Sequence, residues 1–336
     1  MKLATYAHGA SGRLALVHLG QLYDLQALDA RLPATMREFL QRWDECLPLA
    51  QAAEQLLRRT PRPGVPLADT QLLAPVNEPM SCRDGYAFRQ HVATARRNRG
   101  VPMLPEFDEY PVFYFTNHHS VQGPGPVRCM PDHFHKLDFE LEIAIVVCRP
   151  GRNIVAAEAD EYIGGFMIMN DLSARTLQME EMLLNLGPAK GKDFCTTLGP
   201  WLVTPDELAS YRLPAKPGHT GHAYNLRMTC AVNGRQVSEG NVADMDWTFA
   251  ELLERCAYGV DLRPGDVLGS GTVGTGCFLE LNGTGRLRDP AYQEQWLQAG
   301  DEVTMTIEGL GTLTNTIVAE VSTHSLLALK KPRVAS

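Results

Sequence analysis

No apolar run in the 336 residues is long enough to span a bilayer, so no membrane-spanning helix is expected. The opening MKLATYAHGASGRLALVHL has one Lys, then polar residues, and no continuous apolar core. It reads as mature protein rather than a cleaved signal. The net charge is −8, and no basic stripe is interleaved with aromatics. A nucleic-acid footprint is therefore not expected. The chain has no CxxC pair; its eight cysteines are scattered at Cys46, Cys82, Cys129, Cys148, Cys195, Cys230, Cys256 and Cys277. Cys148 and Cys230 sit in apolar runs, which suits buried thiols in a reducing cytoplasm. HExxH, GxSxG and SxxK are absent, leaving zinc-protease and serine-hydrolase readings without support. GSGTVGTG and GPGPVRCM are Gly-rich, but neither is GxxxxGK[ST], and both read as tight turns. No internal repeat or low-complexity segment occurs.

What the chain does have is KLDFELEIAIVV at 136–147. Asp138, Glu140 and Glu142 alternate with Phe139, Leu141 and Ile143 before an apolar run begins. In a strand, Glu140 and Glu142 project from one face, roughly 6–7 Å apart. Like charges that close need either a wet face or a cation between them. The run Ile143–Val147 points to burial on both faces and favours the cation. Carboxylates are hard oxygen ligands, so magnesium, manganese or calcium is expected.

Around this stretch, residues 1–25 read as a small β-meander, and Met36 to Arg59 as a helical stretch kinked at Pro48. PRPGVP (61–66) punctuates the chain, which places the end of a small N-terminal α+β domain near residue 70. Residues 71–330 form the second, mainly β domain. CRDGYAFRQHVATARRNRG reads as a turn entering a helix, with Asp84 near its start and His91 two turns on. YPVFYFT is a short strand, and FMIMNDLSAR an apolar strand ending on Asp171. LGPAKGKDFCTTLGPW is a loop carrying Lys190 and Lys192. LRMTCAVNGRQV is a hairpin turning at Asn233-Gly234, and WTFAELLERCAYGV an amphipathic helix. CFLELNG and DEVTMTIEGLGTLTNTIV read as strands.

Taken one at a time, the polar residues allow plain explanations. Asp171 before Ser-Ala-Arg suits a helix cap. Lys192 and His91 suit an exposed surface. The pairs His118-His119 and His133/His135 lack further histidines at a ligating spacing and suit loop or supporting roles.

The motifs occur together in one order, and in that order they resemble the fumarylacetoacetate hydrolase family. RDGYAFRQH, LDFELEIA, MNDLSAR, LGPAKGKDFCTTLGPWLV, VNGRQVSEGN, LRPGDVLGSGT and GCFLELNGTG carry the resemblance, from residue 83 to about 320. It implies a mixed β-roll or β-sandwich catalytic domain, mainly β, behind the smaller N-terminal one, and a homodimer. It implies that Asp84, Glu140, Glu142 and Asp171 ligate one divalent cation, magnesium before manganese or calcium. His91 is implied as general base, oriented by Glu280. Lys192 and Gln178 are implied to face substrate oxygens, and Tyr86, Tyr114 and Thr272 to match pocket positions. The activity implied is hydrolysis of the C–C bond of a 1,3-dicarbonyl acid, fumarylacetoacetate or a related acylpyruvate, in aromatic catabolism.

The residue types suit that chemistry. A cation polarises the carbonyl under attack, a His–Glu pair activates water, and Lys192 and Gln178 supply donors to an oxyanion. The chain departs from the long hydrolases in a shorter N-terminal part and a shorter loop from Thr272 to Glu280. Arg96, Arg97 and Arg99 follow His91 with no single match to the family's substrate-binding Arg. A lyase on the same metal, decarboxylating an oxaloacetate-type acid or dehydrating a sugar acid, is the alternative. A non-catalytic metal-stabilised protein would have no use for His91, Lys192 and Glu280.

Overall fold

Two β-sheets share one apolar core in this computed structural model, which describes residues 1–9 and 11–331. The larger sheet has eleven strands. Its centre is Leu141–Val147, flanked by Ile163–Asp171 on one side and Asp266–Gly269 on the other. Ser81–Gly85 follows in parallel beyond Asp266–Gly269, and Phe113–Thr116 closes that edge. Thr196–Val203 lies beyond Ile163–Asp171. The N-terminal meander Lys2–His8, Ser11–His18 and Gln21–Asp24 then continues the same sheet, with Leu3 opposite Leu202. The second sheet has five strands and includes the hairpin Arg227–Val232/Arg235–Asn241. That hairpin turns at Asn233 and Gly234, both at positive φ, as an Asn-Gly turn requires.

Alternation along Leu141–Val147 divides the core. Leu141, Ile143, Ile145 and Val147 pack with Met228, Cys230, Val303 and Met305 of the second sheet. Ala144 and Val146 pack on the opposite face with Met167, Leu198, Phe39 and Trp43. Every residue of this strand is buried, as the apolar run implied. All eight cysteines are free and buried. No helix among the described residues is long and apolar enough to cross a membrane.

Four sequence expectations need correction. The stretch 136–147 is not one strand: Leu137–Asp138 and Leu141–Val147 are separated at Phe139 and Glu140. Glu140 N–H leaves the ladder to donate to Asn170 Oδ1 at 3.0 Å. Asp84 lies in the strand Ser81–Gly85, and the helix Arg89–Asn98 starts later, with His91 in its first turn. Cys277–Gly283 is not a strand but the start of the helix Phe278–Arg288. The polar–apolar alternation of FLELN imitates a strand, but Asp138, distant in sequence, satisfies the first N–H groups of a helix there. Gly283 lets this helix lie against Arg89–Asn98, since a Cβ there would meet Asn98 Nδ2 at 2.5 Å. Finally, the break in the N-terminal helical stretch falls at Arg42, between Met36–Gln41 and Trp43–Arg59, while Pro48 lies inside the second helix.

Candidate active site

The sheet centre brings three carboxylates together. Glu142 sits near the start of Leu141–Val147, opposite Met169, and Asp171 ends the neighbouring strand Ile163–Asp171. Asp84 approaches from Ser81–Gly85, across the intervening strand Asp266–Gly269, where Gly269 stands opposite it. A Cβ at Gly269 would lie 2.4 Å from Asp84 Oδ1, so glycine there is what lets the carboxylate reach the centre. Oxygen atoms of Asp84, Glu142 and Asp171 all lie within 4.8 Å of one another. Asp84 Oδ1 accepts from Gly271 N–H at 2.9 Å, and Glu142 Oε1 from the Thr272 hydroxyl at 3.1 Å.

Glu142 Oε2 and Asp171 Oδ1 are buried and have no hydrogen-bond partner. Unpartnered carboxylate oxygens in a dry interior are costly, and they mark where a cation fits. Burial, then the charge of Asp171, pushes Asp84 up to about 7. Burial, then Asp84 and Glu140, pushes Glu142 well up. Burial also raises Asp171, although Lys192 opposes it. At this centre five buried carboxylates (Asp84, Asp138, Glu140, Glu142 and Asp171) face two buried cations, Arg175 and Lys192. The surplus of hard oxygen donors suits a divalent ion.

Glu140, expected with the other three, stands outside that triad. Its Oε1 accepts from Arg175 Nη2 at 2.8 Å, and its Oε2 from Lys192 Nζ. Burial alone would raise its pKa, but Lys192 and Arg175 outweigh that and hold it at about 2. Lys192 Nζ also donates to Asp171 Oδ2, at 2.7 Å, and the Tyr114 hydroxyl donates to the same oxygen. Burial disfavours the Lys192 charge, but Asp171 and Glu140 keep it protonated.

A second constellation adjoins the first. His91 Nδ1 lies 2.8 Å from Glu280 Oε2, with both side chains buried. Thr275 N–H donates to the other oxygen, Glu280 Oε1, at 2.9 Å. Asn98 Nδ2 donates to the Glu280 carbonyl at 3.0 Å and ties the two helices. With Glu280 ionised, Nδ1 carries the proton and Nε2 is left as the basic nitrogen. The Tyr86 ring stands edge-on to the imidazole at 5.9 Å.

Both constellations open on one cavity of about 480 Å³. Its wall includes Asp84, Tyr86, His91, Tyr114, Glu140, Gln178, Lys192, Thr272 and Glu280, all of them expected from the sequence. Glu142 and Asp171 are buried within hydrogen-bond reach of the wall residues Thr272, Lys192 and Tyr114.

A family model described as fumarylacetoacetate (FAA) hydrolase C-terminal matches residues 81–318. The chain belongs to the fumarylacetoacetate hydrolase family. Among its relatives is the oxaloacetate tautomerase Fahd2a, mitochondrial, of Rattus norvegicus, 32% identical over 308 residues. That match covers 89% of this chain and 84% of the relative. The fumarylacetoacetase of Oryza sativa subsp. japonica is also 32% identical, over 72% of this chain and 66% of its own length. The fold is shared with fumarylacetoacetate hydrolase from psychrophilic Exiguobacterium antarcticum, with a TM-score of 0.68 and 24% identity. That likeness covers 95% of this chain and all (100%) of the other.

Two residues of this site escaped the sequence reading. Arg175 stands in MNDLSAR and Asp138 in LDFELEIA, both inside quoted motifs, but nothing local shows that they pair at 2.8 Å. Asp171 does not cap a helix: Arg175–Met182 starts from Ala174 with no side-chain cap. Among the described residues, no group of three ligating side chains includes His118, His119, His133 or His135. The His133 Nδ1 instead accepts from Met130 N–H at 3.2 Å.

Proposed function

We propose that this chain is a divalent-cation-dependent hydrolase of the C–C bond in a 1,3-dicarbonyl acid, fumarylacetoacetate or a related acylpyruvate. The observation that carries this reading is the His91–Glu280 pair, 2.8 Å apart, in the wall of the cavity that also exposes Asp84 and Glu140. Asp84, Glu142 and Asp171 would hold the ion, with Glu140 beside them. Bound there, the cation supplies Lewis acidity toward the substrate's carbonyl oxygens and balances the carboxylate charge.

The chain's own residues do the rest. His91 Nε2 takes a proton from water while Glu280 keeps Nδ1 protonated and the ring oriented. The water oxygen bonds to the carbonyl carbon, and Lys192 and Gln178 donate to the oxygen that gains charge. The C–C bond then breaks, its electrons leaving with the released fragment. That carbon recovers a proton from the His91 imidazolium. Tyr114 and Arg175 fix Asp171 and Glu140, so the donors are in place before substrate arrives.

A second reading is tautomerisation of an oxaloacetate-like acid, favoured by the 89% coverage against a relative of that name. There His91 would take its proton from carbon instead of water, and no C–C bond would break. An ultraviolet assay on fumarylacetoacetate, fumarylpyruvate, acetylpyruvate and oxaloacetate, with and without chelator, separates the two. Chelator-sensitive loss of a diketone with two acids formed, identified by NMR, supports hydrolysis. Faster enol–keto relaxation of oxaloacetate at constant composition, with every diketone untouched, refutes hydrolysis in favour of tautomerisation.

A further inference from the structure

We propose that Asp138 is a positioning residue for the His91–Glu280 pair, fastening the helix that carries Glu280 to the Arg175–Glu140 ion pair. The inference rests on the reading of His91–Glu280 as the acid–base group.

Asp138 is wholly buried and is not part of the cavity wall, so it acts through other residues. It lies in the two-residue strand Leu137–Asp138, paired with Ser173, two residues before Arg175. Its Oδ1 accepts from its neighbour Phe139 N–H at 2.9 Å and from Phe278 N–H at 2.7 Å. Its Oδ2 accepts from Leu279 N–H at 2.9 Å and from Arg175 Nε at 2.9 Å, with Arg175 Nη2 at 2.8 Å. Phe278 and Leu279 are the first two residues of the helix Phe278–Arg288, and Glu280 is the third. The residue at the N-cap position, Cys277, makes no side-chain cap. The helix entrance is therefore held by a carboxylate 140 positions upstream.

The other end of the linkage is equally engaged. Arg175 Nη2 reaches Glu140 Oε1 at 2.8 Å, and Nη1 reaches Gln178 Oε1 at 3.0 Å. One carboxylate thus sets where Glu280 stands relative to Glu140 and Gln178. A local Ser or Asp at the N-cap would satisfy the same helix N–H groups. Only a carboxylate on the strand also grips the guanidinium. Asparagine in its place would turn an NH2 toward donors, against either the helix or Arg175.

The test uses Asp138→Asn, which has nearly the same shape. In protein labelled with ¹⁵N-histidine, the His91 Nδ1–H proton is assigned by its loss in Glu280→Gln. In Asp138→Asn that proton is expected to shift or vanish. On the diketone that the wild type hydrolyses, kcat should fall by about tenfold to a hundredfold with KM nearly unchanged. The double variant Asp138→Asn/Glu280→Gln should be no slower than Glu280→Gln, because both act through one group. An unmoved His91 proton in folded Asp138→Asn, or multiplying losses in the double variant, overturns the proposal. If Asp138→Asn does not fold, Arg175→Lys repeats the NMR arm with the helix cap intact, and an unmoved proton there overturns the linkage. Failure of every diketone to turn over refutes the hydrolase reading instead, and the NMR arm still decides this one.

Discussion

Replacing Asp84 by Asn tests the carboxylate centre most directly. The Asn carbonyl oxygen retains the bond from Gly271 N–H, while the charge disappears. In the metal-free protein Asp84 is held up at about 7, against an ordinary 3.8. A raised carboxyl contributes most to stability below its unfolded value, and that contribution is lost as pH rises through the folded value. At pH 8 the ionised Asp84 therefore costs about 4 kcal/mol, and at pH 5, where it must be held protonated, about 1–2 kcal/mol. For 336 residues the unfolding entropy is about 0.7 kcal/mol per degree, so removing the charge should raise Tm by roughly 6 °C at pH 8 and less at pH 5. Magnesium or manganese should instead stabilise the wild type. At a hundred times Kd it stabilises the wild type by about 2.7 kcal/mol, or roughly 4 °C, and it should leave Asp84→Asn unmoved. Differential scanning fluorimetry of both proteins, with chelator and with a metal titration, reads all of this. A chelated Asp84→Asn that melts below the wild type at pH 8 would refute the argument. So would a variant that keeps the full metal shift.

Lys192→Met removes the buried ammonium that Glu140 and Asp171 share, leaving them only Arg175 and the Tyr114 hydroxyl, so chelated protein should lose about 3–5 kcal/mol in urea unfolding, part of it restored by metal. Gly269→Ala should weaken metal binding at least tenfold by calorimetry, because its Cβ would overlap Asp84 Oδ1 and Met169 Sδ, at 2.7 Å from the latter. His133 is pushed down to about 4, by burial first and then by the Lys190 charge, while its Nδ1 accepts from Met130 N–H. Stability should fall by up to about 3 kcal/mol as pH drops from about 6.5 to 4, since the unfolded chain takes up the proton first. Urea unfolding at pH 7.5 and 4.5 should show a smaller loss in His133→Asn, which keeps an acceptor for the Met130 N–H.

The chemistry of this site is largely written in local sequence. A strand such as Leu141–Val147 advertises its double burial through a continuous apolar run, and acidic residues at its entrance call for positive partners because like charges do not otherwise sit in a dry sheet. The motif order around Asp84, His91, Asp171 and Lys192 marked the family, and the model match over 81–318 agrees with it. The hairpin at Asn233-Gly234 was legible for a similar reason: its backbone demands those residue types.

Tertiary structure decided the rest, wherever a local pattern had two solutions. The alternation of FLELN suits a strand as well as a helix, and Asp138 settles it by capping from 140 residues away. Asp171 suits a cap as well as a metal centre, and its neighbours Lys192 and Tyr114 place it in the cluster. Glu140 and Glu142 look equivalent in sequence, but the break at Phe139–Glu140 aims Glu140 at two cations and leaves Glu142 with a bare oxygen. Residue type and spacing determine which groups a chain offers. Which of them meet depends on packing between segments far apart in sequence, because burial and electrostatic pairing act through space and carry no trace in the local pattern.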